Sequence, residues 1–252
     1  MSSLYATTLL GTSLYVLLWS FLAYSLLGVV VEGLFFLACE RSLESRSGLL
    51  FLPLRPLYGV GGCAFALLLR PVVAQPVAVF VLGAVVATVV EYVASLFTDR
   101  VLGAVSWDYS HKLLNLQGRV CLVYSLAWGG LAVAALYLLD APLRARLALV
   151  PRATGEDVLS VLLVLVAVSA VVTLAALVRT RQRVTVLRAQ ATGAGAAASA
   201  AAGVGWVRLV DRLVPDLVLI NSFPRMTLVD ELIRLTGQQR VWIRLPGARG
   251  AG

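Results

Sequence analysis

Two uncharged apolar runs constrain this chain more than any other feature. Val120–Leu139 and Val158–Val178 contain no Asp, Glu, Lys or Arg. About 20 apolar residues cross a ~30 Å hydrocarbon layer as helix. In lipid a chain must satisfy its own backbone, so the spacing predicts transmembrane helices. Three further segments fit the pattern: 14–39 with Glu32, 57–74, and 76–97 with Glu91. The fold class is therefore all-α, a multi-pass transmembrane helix bundle of about five spans occupying 1–178. Composition agrees, with 60% hydrophobic and 13% charged residues, where soluble domains carry about 25% charged residues.

The second segment differs from the rest. Pro53 and Pro56 precede it, and Gly59, Gly61 and Gly62 lie near its start. Backbone freed by Pro and Gly at membrane depth must be buried in protein or face water. A broken or re-entrant start at 48–56 would carry Arg55 toward the bundle interior, whereas an amphipathic connector would leave it at the surface. Both readings stand on the sequence.

Charge is uneven. Residues 1–178 hold 10 basic and 9 acidic groups, and residues 179–252 hold 11 basic and 4 acidic. Basic charge beside a span reads as anchoring against anionic lipid. Nucleic acid is not an expected partner, because no aromatic-basic platform or zinc spacing accompanies the charge. Lys and Arg counts near the span ends favour one face ten to four. This predicts the N-terminus outside and the C-terminus in the cytoplasm. After the bundle, 179–205 reads as a basic, then Ala/Gly-rich linker, and 206–252 as a basic tail with amphipathic helices. The tail suits a bilayer surface, the bundle itself or a partner, with surface association the simplest. Thr227 to Asp230 has capping-box-like spacing, and Gly237 is a stop signal.

Cys39, Cys63 and Cys121 are scattered in or beside apolar segments and give no disulfide framework. The lone His111 has no second His or Cys at ligand spacing, so no metal site and no cofactor is expected.

Spans alternate in direction, so one face collects the end of the first, the start of the second, the end of the third and the start of the fourth. Those ends carry Glu32, Arg55, Tyr58, Glu91, Asp108, Asn115 and Arg119, the candidate substrate or ion pathway. Trp107 and Tyr109 read as interface anchors. A carboxylate at a span centre costs about 2.5–3.5 kcal/mol. Glu32 and Glu91 should therefore face the bundle interior and meet a cation, with Arg55 or Arg119 nearest in prospect. They either line a path or merely tie the bundle together.

Gly48-Leu49-Leu50, Pro53, Pro56-Leu57-Tyr58-Gly59-Val60-Gly61, Glu91-Tyr92 and the block from Trp107 to Arg119 stand in order. Cys121-Leu122, Tyr124-Ser125 and Trp128-Gly129 continue the series. Over roughly residues 14–140 the chain resembles the bacterial membrane family named Putative ABC-transporter type IV, or CmpB-like. Glu32 sits where that family carries a glutamate in its first span. The chain departs from the pattern at Arg46-Ser47, where an Asn-Arg pair is usual. It also departs at Arg55, typically cysteine, and at Ser106, the first of two tryptophans in the family. The resemblance implies a permease-like component of the bacterial inner membrane.

No G-x-x-x-x-G-K-[ST] loop is present and Lys112 is the single lysine, so ATP hydrolysis would fall to a separate ATPase subunit. Five spans are few for a permease, so a homo-oligomer or a partner membrane chain is also expected. No catalytic residue is assigned. The alternatives are an integral membrane enzyme acting on a lipid or lipid-linked substrate at headgroup level, and a membrane scaffold or sensor.

Overall fold

The computed structural model describes residues 5–40, 42–43, 48–191, 205–223, 226–238 and 243–244. They form an all-α protein. Four helices are long and apolar enough to cross a membrane. These are α1 (Leu14–Glu40), α3 (Pro76–Leu102), α4 (Leu122–Leu149) and α5 (Arg152–Ala191). Between the first two lies the shorter α2 (Pro56–Leu68). Three tail helices follow: α6 (Gly205–Leu213), α7 (Asp216–Ser222) and α8 (Thr227–Thr236). Two-residue strands form three small antiparallel pairs: β1 (Thr8–Leu9) with β2 (Thr12–Ser13), β3 (Ser42–Leu43) with β6 (Ile243–Arg244), and β4 (Asn115–Leu116) with β5 (Val120–Cys121).

The second apolar segment is the irregular one. At 13 residues, α2 is about 20 Å long, too short for the hydrocarbon layer alone. Pro56 starts it at a position where a missing N–H costs nothing. The Arg55 N–H donates to the Ser25 carbonyl (2.9 Å), eleven residues into α1, so the chain is still non-helical at mid-span. At the other end of α2, Arg70 donates from Nη1 to Thr12 Oγ1 (3.2 Å). Non-helical backbone at Arg55 and the helix α2 thus pack in turn along α1. Glycine makes this packing close: a Cβ on Gly59 would strike Ser25 and the Phe21 carbonyl, and one on Gly62 would strike the Tyr24 ring. Small residues at helix contacts are the usual means of close approach in lipid.

The chain divides into two compact units. One comprises Met1–Val29, Leu54–Ala94 and Asp108–Ala167, and the other Val30–Pro53, Ser95–Trp107 and Val168–Gly252. In the first unit, Tyr24, Phe65, Leu69, Val79, Ala87, Ala132, Ala135 and Leu136 form one core. A second core gathers Tyr5, Tyr15, Leu22 and Leu159. Here α4 contains a π-helical turn at Ala135–Asp140.

In the second unit, Leu50, Leu102, Ala176, Leu177 and Val184 pack with Val214, Leu219, Ile220, Val229 and Leu232 of the tail. The tail helices therefore fold onto the end of α5. The helix runs unbroken to Ala191, so the linker expected from residue 179 is helical there; 192–204 lie outside the described residues. Gly237 ends α8 with φ +70°, as its stop signal predicts. Thr227 does not cap α8. Its Oγ1 instead accepts from the Val105 N–H (3.1 Å), and its own N–H donates to the Val105 carbonyl (3.1 Å).

Segment 48–53 is also in this unit. Leu50 is fully buried. Its N–H donates to Thr173 Oγ1 (2.9 Å) and its carbonyl accepts from the Ser169 hydroxyl. Both hydroxyls come from the uncharged run of α5. Non-helical backbone beside such a run needs partners of this kind.

Candidate functional site

The site is built on one face of α3. Gly83, Ala87 and Glu91 recur at four-residue spacing and are buried, while Val81, Val85, Val89 and Val93 on the opposite face are exposed. Helix periodicity produces this division. The small residues admit α4: a Cβ on Gly83 would strike Ala132, and Gly129 packs against Phe80. The Thr88 hydroxyl bridges to Ser125 Oγ (2.6 Å). One turn further along, Glu91 is only 4% exposed.

Glu91 Oε1 accepts from the Tyr109 hydroxyl (3.3 Å), and Oε2 accepts from Trp128 Nε1 (3.2 Å). Both are long for their type, and each oxygen keeps acceptor capacity. The Trp128 ring lies 4.9 Å from that of Tyr58, tilted 46°. The Tyr109 ring lies 4.7 Å from Tyr124, tilted 31°. The result is a carboxyl group bonded to two aromatic side chains, each of which packs against a second ring. The guanidinium expected from the sequence is not its partner; both donors are neutral. Such a group can take a cation against carboxylate and ring faces, or a proton.

The loop before α4 positions the Tyr109 donor. Asp108 accepts from the Ser110 N–H (2.8 Å) and Ser110 Oγ (3.1 Å). Asn115 Nδ2 donates to the carbonyls of Ser110 (3.1 Å) and Lys112 (2.8 Å), and its Oδ1 accepts from the Gly118 N–H (3.0 Å). These local side-chain-to-backbone bonds shape turns. Gln117 and Gly118 adopt φ of +54° and +67°, and a Cβ on Gly118 would fall 2.7 Å from Asp108 Oδ1. The Gly118 carbonyl then accepts from the Tyr109 N–H (2.8 Å), which aims the Tyr109 side chain at Glu91. From α3, the Tyr92 hydroxyl donates to Gln117 Oε1 (2.9 Å). Burial pushes the Tyr109 hydroxyl well above the ordinary tyrosine range, so it stays a donor at any physiological pH.

The expected residues take different parts. Tyr58 and Glu91 stand in one aromatic-carboxyl cluster. Tyr109, expected as an interface anchor, supplies a hydrogen bond to its centre. Asp108 is exposed and Asn115 half-buried, and both spend their polar atoms on the loop. Arg119 is half-buried at the turn, where its N–H donates to the Leu116 carbonyl (3.0 Å). Arg55 is half-buried at the broken start of α2, one turn from Tyr58. Glu32 and Trp107 are half-buried and belong to the second compact unit.

Trp128 received no role in the sequence reading, although a signal existed. An indole N–H inside an uncharged span needs an acceptor, and Glu91 is a carboxylate embedded in a neighbouring span.

Comparison with family models finds that the one described as Putative ABC-transporter type IV matches residues 19–174. The match reaches beyond residue 140 into the apolar run of α5. No curated protein and no solved structure matches the chain.

Proposed function

The chain belongs to the Putative ABC-transporter type IV family, and from that premise we propose that it is the permease-like membrane component of a transport system, with Glu91 as the group that receives the cargo. One observation carries this reading. A carboxyl group 4% exposed in an apolar span is held by two long neutral hydrogen bonds, both from aromatic side chains. Ionisable groups inside spans mark substrate, ion or proton pathways. The chemistry of the pocket suits a monovalent cation, organic or inorganic, or a proton.

Asp108, Asn115, Gln117 and Gly118 position Tyr109 as a lid over that group. Arg55 and Arg119 act as fixed positive charge at the pathway's margin. The protein resides in the bacterial inner membrane with its N-terminus outside, its C-terminus cytoplasmic and the bilayer as its solvent. A separate ATPase subunit supplies energy, or copies of the chain assemble as a homo-oligomer.

The test uses the full chain in nanodiscs. Its intrinsic fluorescence is followed during titration with potassium, with tetramethylammonium and with acid. A saturable response is expected, because Trp128 donates to Glu91. Glu91→Gln should abolish the response while expression and thermal stability persist. A response unchanged in Glu91→Gln would overturn the reading.

A second reading has its own support. A laterally open apolar groove of about 330 Å³ runs along α3 and α4, lined by Phe80, Ala84, Thr88, Leu122, Ser125 and Leu126. It ends one turn from Glu91. Such a groove suits an acyl chain, as an enzyme acting on a lipid or lipid-linked substrate would require. Product formed from a lipid-linked substrate by the purified chain alone would favour that reading.

A further inference from the structure

The same unit contains a second polar cluster, far from Glu91. Asp140 ends the π-helical turn of α4, eighteen residues beyond Leu122, or about 27 Å along the helix. Its Oδ2 accepts from Arg144 Nε (2.7 Å). Its other oxygen, Oδ1, and Arg144 Nη2 are buried with no hydrogen-bond partner. On α1, the Ser20 and Tyr24 hydroxyls are likewise buried and unpartnered. Ser20 is 0% exposed and Tyr24 5%. Tyr24 shares a core with Ala135 and Leu136 of the π-helical turn, and its hydroxyl is in electrostatic range of Asp140, Arg144 and Cys63.

Buried polar groups in native proteins are normally hydrogen-bonded, and exceptions need an explanation. Here the Tyr24 hydroxyl is in electrostatic range of Asp140 and Arg144, Ser20 lies one turn before it on the same face of α1, and a polar atom of each of the four residues is buried and unbonded. An outward stretch of α4 that is free to turn would account for all four. The π-helical turn provides that freedom, since π turns carry an extra residue and often mark functional positions. Conversion to ordinary helix would rotate everything beyond it by about 100°. Asp140 and Arg144 would swing away from Tyr24 together, which is a discrete change between two packed states rather than a gradual one.

We propose that Ser20, Tyr24, Asp140 and Arg144 form a closed gate at the end of the bundle opposite the Glu91 loop, opened by relaxation of the π turn at 135–140. The proposal rests on the transport reading and deepens it by locating the pathway's second mouth. The carboxylate and guanidinium neutralise one another, so the gate carries no net charge. In the open state its four free polar atoms would be hydrated. The passing ligand would meet hydrogen-bonding groups there and a countercharge only at Glu91.

The experiment is thiol labelling of the full chain in sealed vesicles. Ser20→Cys is placed in a background with Cys39, Cys63 and Cys121 changed to alanine. A charged, membrane-impermeant thiosulfonate is added from each side in turn. Ser20→Cys should label only from the Asp140 end, at least tenfold faster than Ala132→Cys, a core position. Asp140→Asn, which loosens the ion pair, should speed labelling several-fold. Tyr24→Phe, which removes one stranded hydroxyl from the closed state, should slow it and raise Tm by about 2–4 °C.

Labelling no faster than at Ala132→Cys, labelling from the loop side, or a lower Tm in Tyr24→Phe would each overturn the gate. If the cysteine-free background fails to fold, native Cys63 serves as the reporter in Cys39→Ala, Cys121→Ala with the same expectations. The result is independent of the fluorescence response of Glu91→Gln, so the gate and the transport reading fail separately.

Discussion

Two ionisable groups are buried almost equally in this protein and are treated in opposite ways. Arg179 in the second compact unit is 2% exposed, and Glu91 in the first is 4% exposed. Arg179 Nη1 donates to Asp216 Oδ1 (2.5 Å) and lies 3.0 Å from Asp211 Oδ1, while Nη2 donates to the Val214 carbonyl (2.7 Å). Arg183 neutralises the remaining Asp216 oxygen at 2.7 Å. Glu91 has two neutral donors at 3.2 and 3.3 Å. A buried charge whose own chain supplies countercharge is a fastening. A buried acid without one keeps capacity for something that arrives.

The largest effect should come from breaking the fastening. Asp216→Asn leaves Arg179 buried with a weakened partner, a change that costs about 3–5 kcal/mol. The tail helices should then separate from the end of α5, read as a lower Tm and as new proteolytic cleavage beyond Ala191. A cost under about 1 kcal/mol would mean that apolar packing alone holds the tail, and the contrast with Glu91 would lose its first half.

A smaller effect of the same sign is expected at Leu50, whose backbone is satisfied by α5 hydroxyls. Ser169→Ala strands the buried Leu50 carbonyl, at about 1–3 kcal/mol. Thr173→Val strands its N–H at a similar cost. Thermal melts of each variant and of the pair provide the check. Losses well below additive would show that both hydroxyls support one local structure.

Glu91→Gln should move stability least among the buried sites, by less than about 1.5 kcal/mol, since only two weak hydrogen bonds change. Its response to cations should nonetheless vanish. A loss of stability as large as that of Asp216→Asn would make Glu91 a fastening too and break the comparison.

The sequence revealed these regions unequally. Long uncharged runs and a carboxylate within one of them are local patterns, so α3, α4, α5 and Glu91 could be read directly. Pro53, Pro56 and the glycines after them announced the irregular second apolar segment. Arg179 and Asp216 are 37 residues apart, and the basic run around Arg179 looks like the end of a span until the tail folds back. Trp128 and Tyr109 meet Glu91 only through helix packing and a turn at Gln117–Gly118. The π turn at 135–140 has no residue signature at all. What escaped were pairings between distant segments, which depend on tertiary structure.

The smallest effect tests the comparison at the surface. Arg188 donates from Nε and Nη2 to Glu231, with Arg234 Nη2 at 3.3 Å from the same carboxylate. The Arg188 hydrogen bonds hold the Glu231 carboxyl below the usual carboxylate range. A depressed folded-state value means that the stabilisation is complete above the ordinary pKa and is lost as pH falls through the folded one. Glu231→Gln should therefore lower tail stability slightly at pH 7, and the difference from the unsubstituted chain should shrink as pH falls below about pH 4.5. Because this pair is solvated, salt should erase the difference. The Asp216→Asn defect should survive the same salt, since its partner is buried. Equal salt sensitivity in the two variants would assign Arg179 to the surface class and leave Glu91 as the sole desolvated ionisable group in the contrast.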